Sequence, residues 1–205
     1  QPFRSQLPLT LPLSQAAVEL LIVANFCEVY LAKEGHGGPV GVNYLEKIQL
    51  PTLPSLLGAL LAGVDVVLMG GGLPLTIPGL LDRLAAWEPC QLPLRVEDNP
   101  AQQPFIQTLD AASLCPAAPS ALKRPLFLAI ISSDVAGKTL LRRGNGAIEG
   151  FVVEGHIAGG HNAPPRKADR AQPEYGPRDI PDLTAIRDLG RPFWLGGGYA
   201  SPQSL

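Results

Sequence analysis

The chain is poor in the features that assign a protein quickly. Its 205 residues include three cysteines, Cys27, Cys90 and Cys115, odd in number and far apart. That spacing makes neither a disulfide framework nor a zinc site, and it points to a reducing, cytoplasmic setting. Charged residues are scarce at 17%, and they leave a net charge of −2. There is no basic surplus to hold a nucleic acid backbone. No uninterrupted apolar run of about 18 residues occurs, so no membrane span is expected. A secretory leader pattern is missing as well.

What is present is a large apolar fraction, 46%. A chain of this length and content can bury one sizeable core, and 1–205 reads as a single domain. It opens on Gln1 and stops at Leu205 where a helical pattern begins, so both ends read as cuts through a larger protein.

Along the chain, a proline-rich lead-in gives way at Ser14 to a helical pattern that Gly35, Gly37 and Gly38 stop. Strand candidates follow at 40–45, 64–69, 92–97, 126–131, 151–153 and 192–195, with helical patterns at 55–62, 78–87, 135–142 and 183–189 between them. Residues 98–124 and 162–180 are rich in proline, weakly periodic, and read as loop insertions. Continuous apolar strands alternating with helices argue for a parallel sheet covered on both faces. Glycines and small polar residues gather after the strands, where α/β folds place ligands, whether in open sheets or in (β/α)8 barrels. The pattern does not separate those two.

The richest strand end is Glu154–Arg166, with Gly155, Gly159 and Gly160 beside His156 and His161. Glycine admits close backbone approach to a ligand, and histidine handles protons near neutral pH. An ordinary surface-loop histidine and a solvated terminal carboxylate are equally compatible readings of His161 and Glu154. The two histidines lack the i, i+4 helical spacing of a zincin pair, so no metal site is expected. Gly196, Gly197 and Gly198 lead to Ser201 and Pro202, a turn that either exposes helix-terminal amides to a phosphate or merely reverses the chain. Ala136-Gly-Lys-Thr139 ends like a nucleotide phosphate loop, but Ser132 stands where that motif's first glycine belongs.

Gly41-Val-Asn43, Val66-Val-Leu-Met-Gly70, Ser132-Ser133, Val153-Glu-Gly155, Ala158-Gly-Gly-His161 and Leu195–Gly198 together resemble the FMN-dependent nitronate monooxygenases, also called 2-nitropropane dioxygenase-like proteins. Ala32–His36, Val42–Pro51, Gly159–Arg166, Tyr175–Asp179 and Pro192–Leu195 match segments of one subgroup, in order along nearly the whole chain. The resemblance implies a (β/α)8 TIM barrel with FMN at its C-terminal face, of which this α/β chain would carry about five of the eight parallel strands. It implies that His161 is the catalytic histidine beside an alkyl nitronate or nitroalkane and O2. Asn43 and Glu154 would contact the flavin ring, and Gly159, Gly160, Gly197 and Gly198 would approach the ribityl chain or phosphate. Two departures stand out. Glu154 occupies a position where many relatives carry Gln, and His156-Ile157 replaces the subgroup's Pro-Thr. The family's first two strands and its eighth have no counterpart here. An inactive fragment of such an enzyme and an FMN-dependent enoyl-thioester reductase on the same scaffold are the competing expectations.

Overall fold

In the computed structural model, residues 8–115, 121–160, 163–165 and 174–198 are described. In chain order the elements are α1 (Gln15–Ala32), β1 (Gly41–Leu45), α2 (Thr52–Leu61), β2 (Val66–Gly70), α3 (Ile77–Ala85), β3 (Cys90–Leu94), β4 (Phe105–Leu109), α4 (Ala111–Leu114), β5 (Leu126–Ile131), α5 (Asp134–Arg143), β6 (Gly150–Glu154), a 3₁₀ turn (Pro177–Asp179), α6 (Leu183–Arg187) and β7 (Phe193–Gly196). The fold is mixed α/β and divides into two compact units.

The first unit holds α1, α2, most of α3, the β3–β4 hairpin and α4. Ser14 caps α1, its hydroxyl accepting from the Ala17 amide at 3.3 Å. At the other end the Lys33 ammonium donates to the Gly63 carbonyl at 2.9 Å, tying α1 to the turn that ends α2. The two helices meet where Gly58 faces the Ile22 carbonyl, leaving no room for a Cβ. Every residue of α2 from Thr52 to Leu60 is buried, as expected of a helix apolar on all sides. Pro54 is tolerated because it lies in the first turn, where its missing N–H has no helical partner. In α1, by contrast, only Ile22 and Val29 are buried, while Leu20, Val23, Tyr30 and Leu31 are exposed. With 18 residues and a mean hydropathy of 1.4, α1 is long and apolar enough by composition to cross a membrane. A search for an uninterrupted apolar run passes over it because Glu19 and Glu28 interrupt the pattern.

The expected irregular stretch over 98–124 contains regular structure. Phe105–Leu109 pairs antiparallel with Cys90–Leu94, and Ala111–Leu114 is a short helix capped by Asp110. Flanking prolines and the absence of strict alternation hide this hairpin from a periodicity reading. The expected strand at 92–97 is β3, shifted toward the N-terminus. Beyond its end the Gln49 amide acts as a substitute strand. It accepts from the Arg95 N–H at 2.7 Å and donates to the Arg95 carbonyl at 3.0 Å. Cys90, the buried first residue of β3, has its thiol pushed up to about 11 by burial, so it remains protonated and unreactive at neutral pH.

In the second unit a five-stranded parallel sheet runs in the order β1-β2-β5-β6-β7. Each strand lies beside the one that precedes it in the sheet's own chain order, with no reversal. Val67, Met69, Phe127, Ala129, Ile131, Phe151 and Val153 point to one face and are at most 3% exposed. α5 packs there, and its Gly137 sits against Ile131, Phe151 and Leu189 with no space for a side chain. The glycine of the Ala136–Thr139 segment is therefore a packing glycine inside a helix. On the alternate face, Leu68, Ile130 and Val152 are half-buried, and Leu126 and Trp194 are exposed. The sequence expectation of both faces covered is met on the first; on the second Leu128 is buried while its neighbours are covered only in part.

Candidate active site at the strand ends

A cleft of about 390 Å³ opens at the C-terminal edge of the parallel sheet. Four strands contribute to it in turn. Lys47 follows β1, Gly71, Gly72 and Leu73 follow β2, Ile130, Ile131 and Ser132 close β5, and Glu154 closes β6. Ala136 adds the first turn of α5, and Ala163 and Pro164 come from the loop beyond β6. This is the edge where side chains and free amides from successive crossovers converge.

Local chemistry sets each wall. Gly71 has φ +70°, the left-handed region, so the chain turns off β2 without a Cβ penalty. Gly72 lies against the Glu46 side chain, which occupies the place a Cβ would need. Ser133 caps α5 by accepting from the Ala136 amide at 3.2 Å. Asp134 in the first turn bonds Lys138 at 2.8 Å, and that hydrogen bond holds its carboxyl below the usual range. Glu154 behaves oppositely. Burial raises its pKa, so it keeps its proton to higher pH than a free glutamate.

A smaller recess adjoins the cleft and shares Ser132, Glu154, Ala163 and Pro164 with it, adding His156, Tyr175 and Asp179. The His156 and Tyr175 rings stack with centroids 5.2 Å apart and planes at 19°. The Tyr175 hydroxyl donates to the Ala163 carbonyl at 2.9 Å. Asp179, 8% exposed, accepts from the Gly176 amide at 2.8 Å and fixes the turn that presents Tyr175. These contacts fasten the two polar, proline-rich segments beyond β6 to each other.

The sequence-predicted residues fall differently. Glu154 lines the cleft. Asn43 lies mid-strand in β1, exposed, and is not among the lining residues. Gly159 and Gly160 are exposed in the loop after β6; Gly160 has φ +85°, while nothing lies within 4 Å of a Cβ built on Gly159. Gly197 and Gly198 have φ +79° and +74°, and their missing Cβ atoms make room for Ala158 and Ile157. Packing against the neighbouring loop accounts for these two without a ligand. His161, with Asn162, Arg166, Ser201 and Pro202, lies outside the described residues. His156, set aside in the sequence as a variable neighbour, stands in the wall of the recess. Lys47, Ser132, Tyr175 and Asp179 lie in segments that carry the resemblance, yet no site role was read for them, because each is an unremarkable residue until the fold gathers them. Of the four, Ser132 alone directly follows a strand candidate. Among the described residues no group of three His, Cys, Asp or Glu side chains could hold a metal ion.

Fold and site together define an α/β protein with a ligand-sized cleft at the carboxyl edge of a parallel sheet. Comparison with known protein families, with curated proteins and with solved structures finds no match to this chain.

Proposed function

We propose that the chain belongs to an FMN-dependent oxidoreductase of the nitronate monooxygenase kind, with its parallel sheet forming part of a (β/α)8 barrel. One observation carries the reading: the cleft lies at the C-terminal ends of parallel strands that follow one another without reversal. Doubly wound sheets bind ligands where the strand order reverses, whereas barrels step in one direction and gather their sites at the C-terminal face. The half-covered second face of the sheet is in keeping with a barrel interior.

The cleft's residues suit a flavin. Its volume of about 390 Å³ falls in the range of small-ligand sites. Lys47 offers a positive charge, and Glu154 adds a carboxyl whose pKa burial raises. When bound, FMN supplies the electron-accepting centre and the reactivity toward O2. The protein's part is to orient an alkyl nitronate and to handle a proton. His161, by the resemblance, would accept the proton from the carbon bearing the nitro group or hydrogen-bond the nitronate oxygens. Asn43, Gly159, Gly160, Gly197 and Gly198 keep their proposed flavin contacts on the resemblance alone.

Titration of the 205-residue chain with FMN, followed by the visible spectrum of bound flavin, tests the reading. Binding is expected in the unmodified chain and in His161→Ala, which should lose nitronate turnover. Gly159→Val should lose binding. Its side chain meets open space in the protein, so the loss would report on the ligand and not on the fold. Absence of bound flavin in the unmodified chain would overturn the proposal. Turnover of an enoyl thioester with NAD(P)H, in place of nitronate, would move the assignment to the reductase.

A further inference from the structure

Among the described residues the β3–β4 hairpin of the first unit pairs with no third strand, so it has two outer edges. An outer edge is a row of unpaired N–H and C=O groups, and folded proteins commonly block it. Register decides which residues supply the row. Pro93 lies opposite Ile106 and has no N–H, so theirs is a pair without hydrogen bonds, and the pair type alternates along the ladder. Leu92 and Gln107 therefore exchange hydrogen bonds across the hairpin. Gln91, Pro93 and, by continuation, Arg95 turn their backbone groups away from β4, while Ile106 and Thr108 turn theirs away from β3.

The two edges differ. On β3 Pro93 offers no donor, and the Gln49 amide occupies both backbone groups of Arg95 at 2.7 and 3.0 Å, leaving Gln91 as the remaining member of the row. On β4 Ile106 and Thr108 have no hydrogen-bond partner outside the ladder among the described residues. Their strand, Phe105-Ile-Gln-Thr-Leu109, carries neither proline nor charge. Both residues are exposed, and both line a cleft of about 770 Å³ that shares no residue with the strand-end site. Leu11, Leu13, Val18 and Pro54 give this cleft apolar walls. Asp110, directly after the strand, adds a carboxylate, one oxygen of which accepts from the Ala112 amide at 3.1 Å.

We infer that this cleft takes an extended peptide segment of another polypeptide, which adds to β4 as an antiparallel third strand and carries a basic residue opposite Asp110. Charge complementarity with the carboxylate sets the position of the basic residue. Two and four residues further on, the peptide faces Thr108 and Ile106, and its N–H and C=O groups there meet those of the open edge. The peptide residues between fall on the same side as Gln107 and Leu109, which are buried, so apolar side chains suit them. An extended main chain presents donors and acceptors at the spacing that Ile106 and Thr108 require. A second copy of the chain would bring the walls of its own cleft to the same edge, whereas a lone segment brings none.

The peptide Ac-KVTVTV-NH2, titrated into the full 205-residue chain with backbone amide NMR signals as the readout, is the probe. It should saturate at millimolar concentration and shift the Ile106 and Thr108 amides more than those of Gln91 and Arg95. N-methylation of its third and fifth residues removes the N–H groups aimed at β4, and should weaken binding about tenfold or more, the equivalent of one hydrogen bond. N-methylation of its second and fourth residues should be tolerated. Glutamate in place of the peptide's lysine should bind more weakly, and equal binding of the two would overturn the role given to Asp110. Thr108→Pro deletes an outward N–H without touching the β3–β4 ladder, as Pro93 does on the other edge, and should weaken binding while leaving the denaturation midpoint in place. Equal effects of the two methylation patterns would overturn the proposal even if Thr108→Pro failed to fold. So would shifts gathered on β3, or a concentration-dependent dimer that shifts Ile106 and Thr108 while the peptide does not bind.

Discussion

The loop after β6 and the turn after β7 are both glycine-rich strand ends, and the sequence alone gives them the same meaning. The structure separates them. Gly197 and Gly198, in the left-handed region, lack side chains because Ala158 and Ile157 fill the space. Gly159, in the loop those two residues belong to, has open space where its side chain would be. One strand end uses glycine to let two segments of the protein touch; the other leaves a backbone uncovered. Glycine-rich motifs therefore divide by what a Cβ would meet, and only the second kind carries an argument for a ligand.

Substitutions break or sharpen this contrast. Gly197→Ala should have the largest effect. It combines a left-handed backbone with overlap on Ala158, and the two together should cost about 3 kcal/mol in chemical denaturation. A loss within experimental error would remove the packing account. Asp179→Ala comes next. It removes the cap on the Gly176 amide that holds Tyr175 over the recess, at about 1 kcal/mol, and the Tyr175 ring resonances should broaden as the stack with His156 loosens. Gly159→Ala should change stability by less than about 0.5 kcal/mol. An effect as large as that of Gly197→Ala would erase the distinction between the two loops.

The smallest effect concerns Glu154, at the end of the strand between them. Burial raises its pKa, so the folded chain binds that proton more tightly than the unfolded one. Its carboxyl favours folding most at low pH. That contribution is lost as pH rises from the unfolded value through the raised folded value. Glu154→Gln removes the titration. The melting temperature should rise slightly at neutral pH and change less across the weakly acidic range, as thermal melts over a pH series would show.

Much of the fold was legible in the residues. Ser14 at the start of the first helix, Gly35, Gly37 and Gly38 after its end, and the apolar runs at 126–131 and 151–153 marked their elements closely, because each depends on local chemistry. What escaped depends on partners distant in sequence. β4 is a strand only because β3 lies opposite, and strand order is invisible to periodicity. The site was legible at Glu154, which directly ends a strand. Lys47, Ser132, Tyr175 and Asp179 become a site only through the sheet register and the loop contacts. Gly197 shows the converse, a motif whose meaning changed once its neighbour Ala158 was placed.

The unreversed strand order also bears on how the chain folds. When each strand pairs with its predecessor, the sheet can grow in the order of synthesis, with short loops to close and few distant segments to find. β1 onto β2 and β5 onto β6 are steps of this kind, whereas β7 follows β6 only after residues 155–192. The widest separation is β2 with β5, which must wait for the whole excursion from Gly71 to Pro125. That junction divides the sheet into an early pair and a late trio. Its closure is the step at which a half-made sheet would stand longest with an open edge.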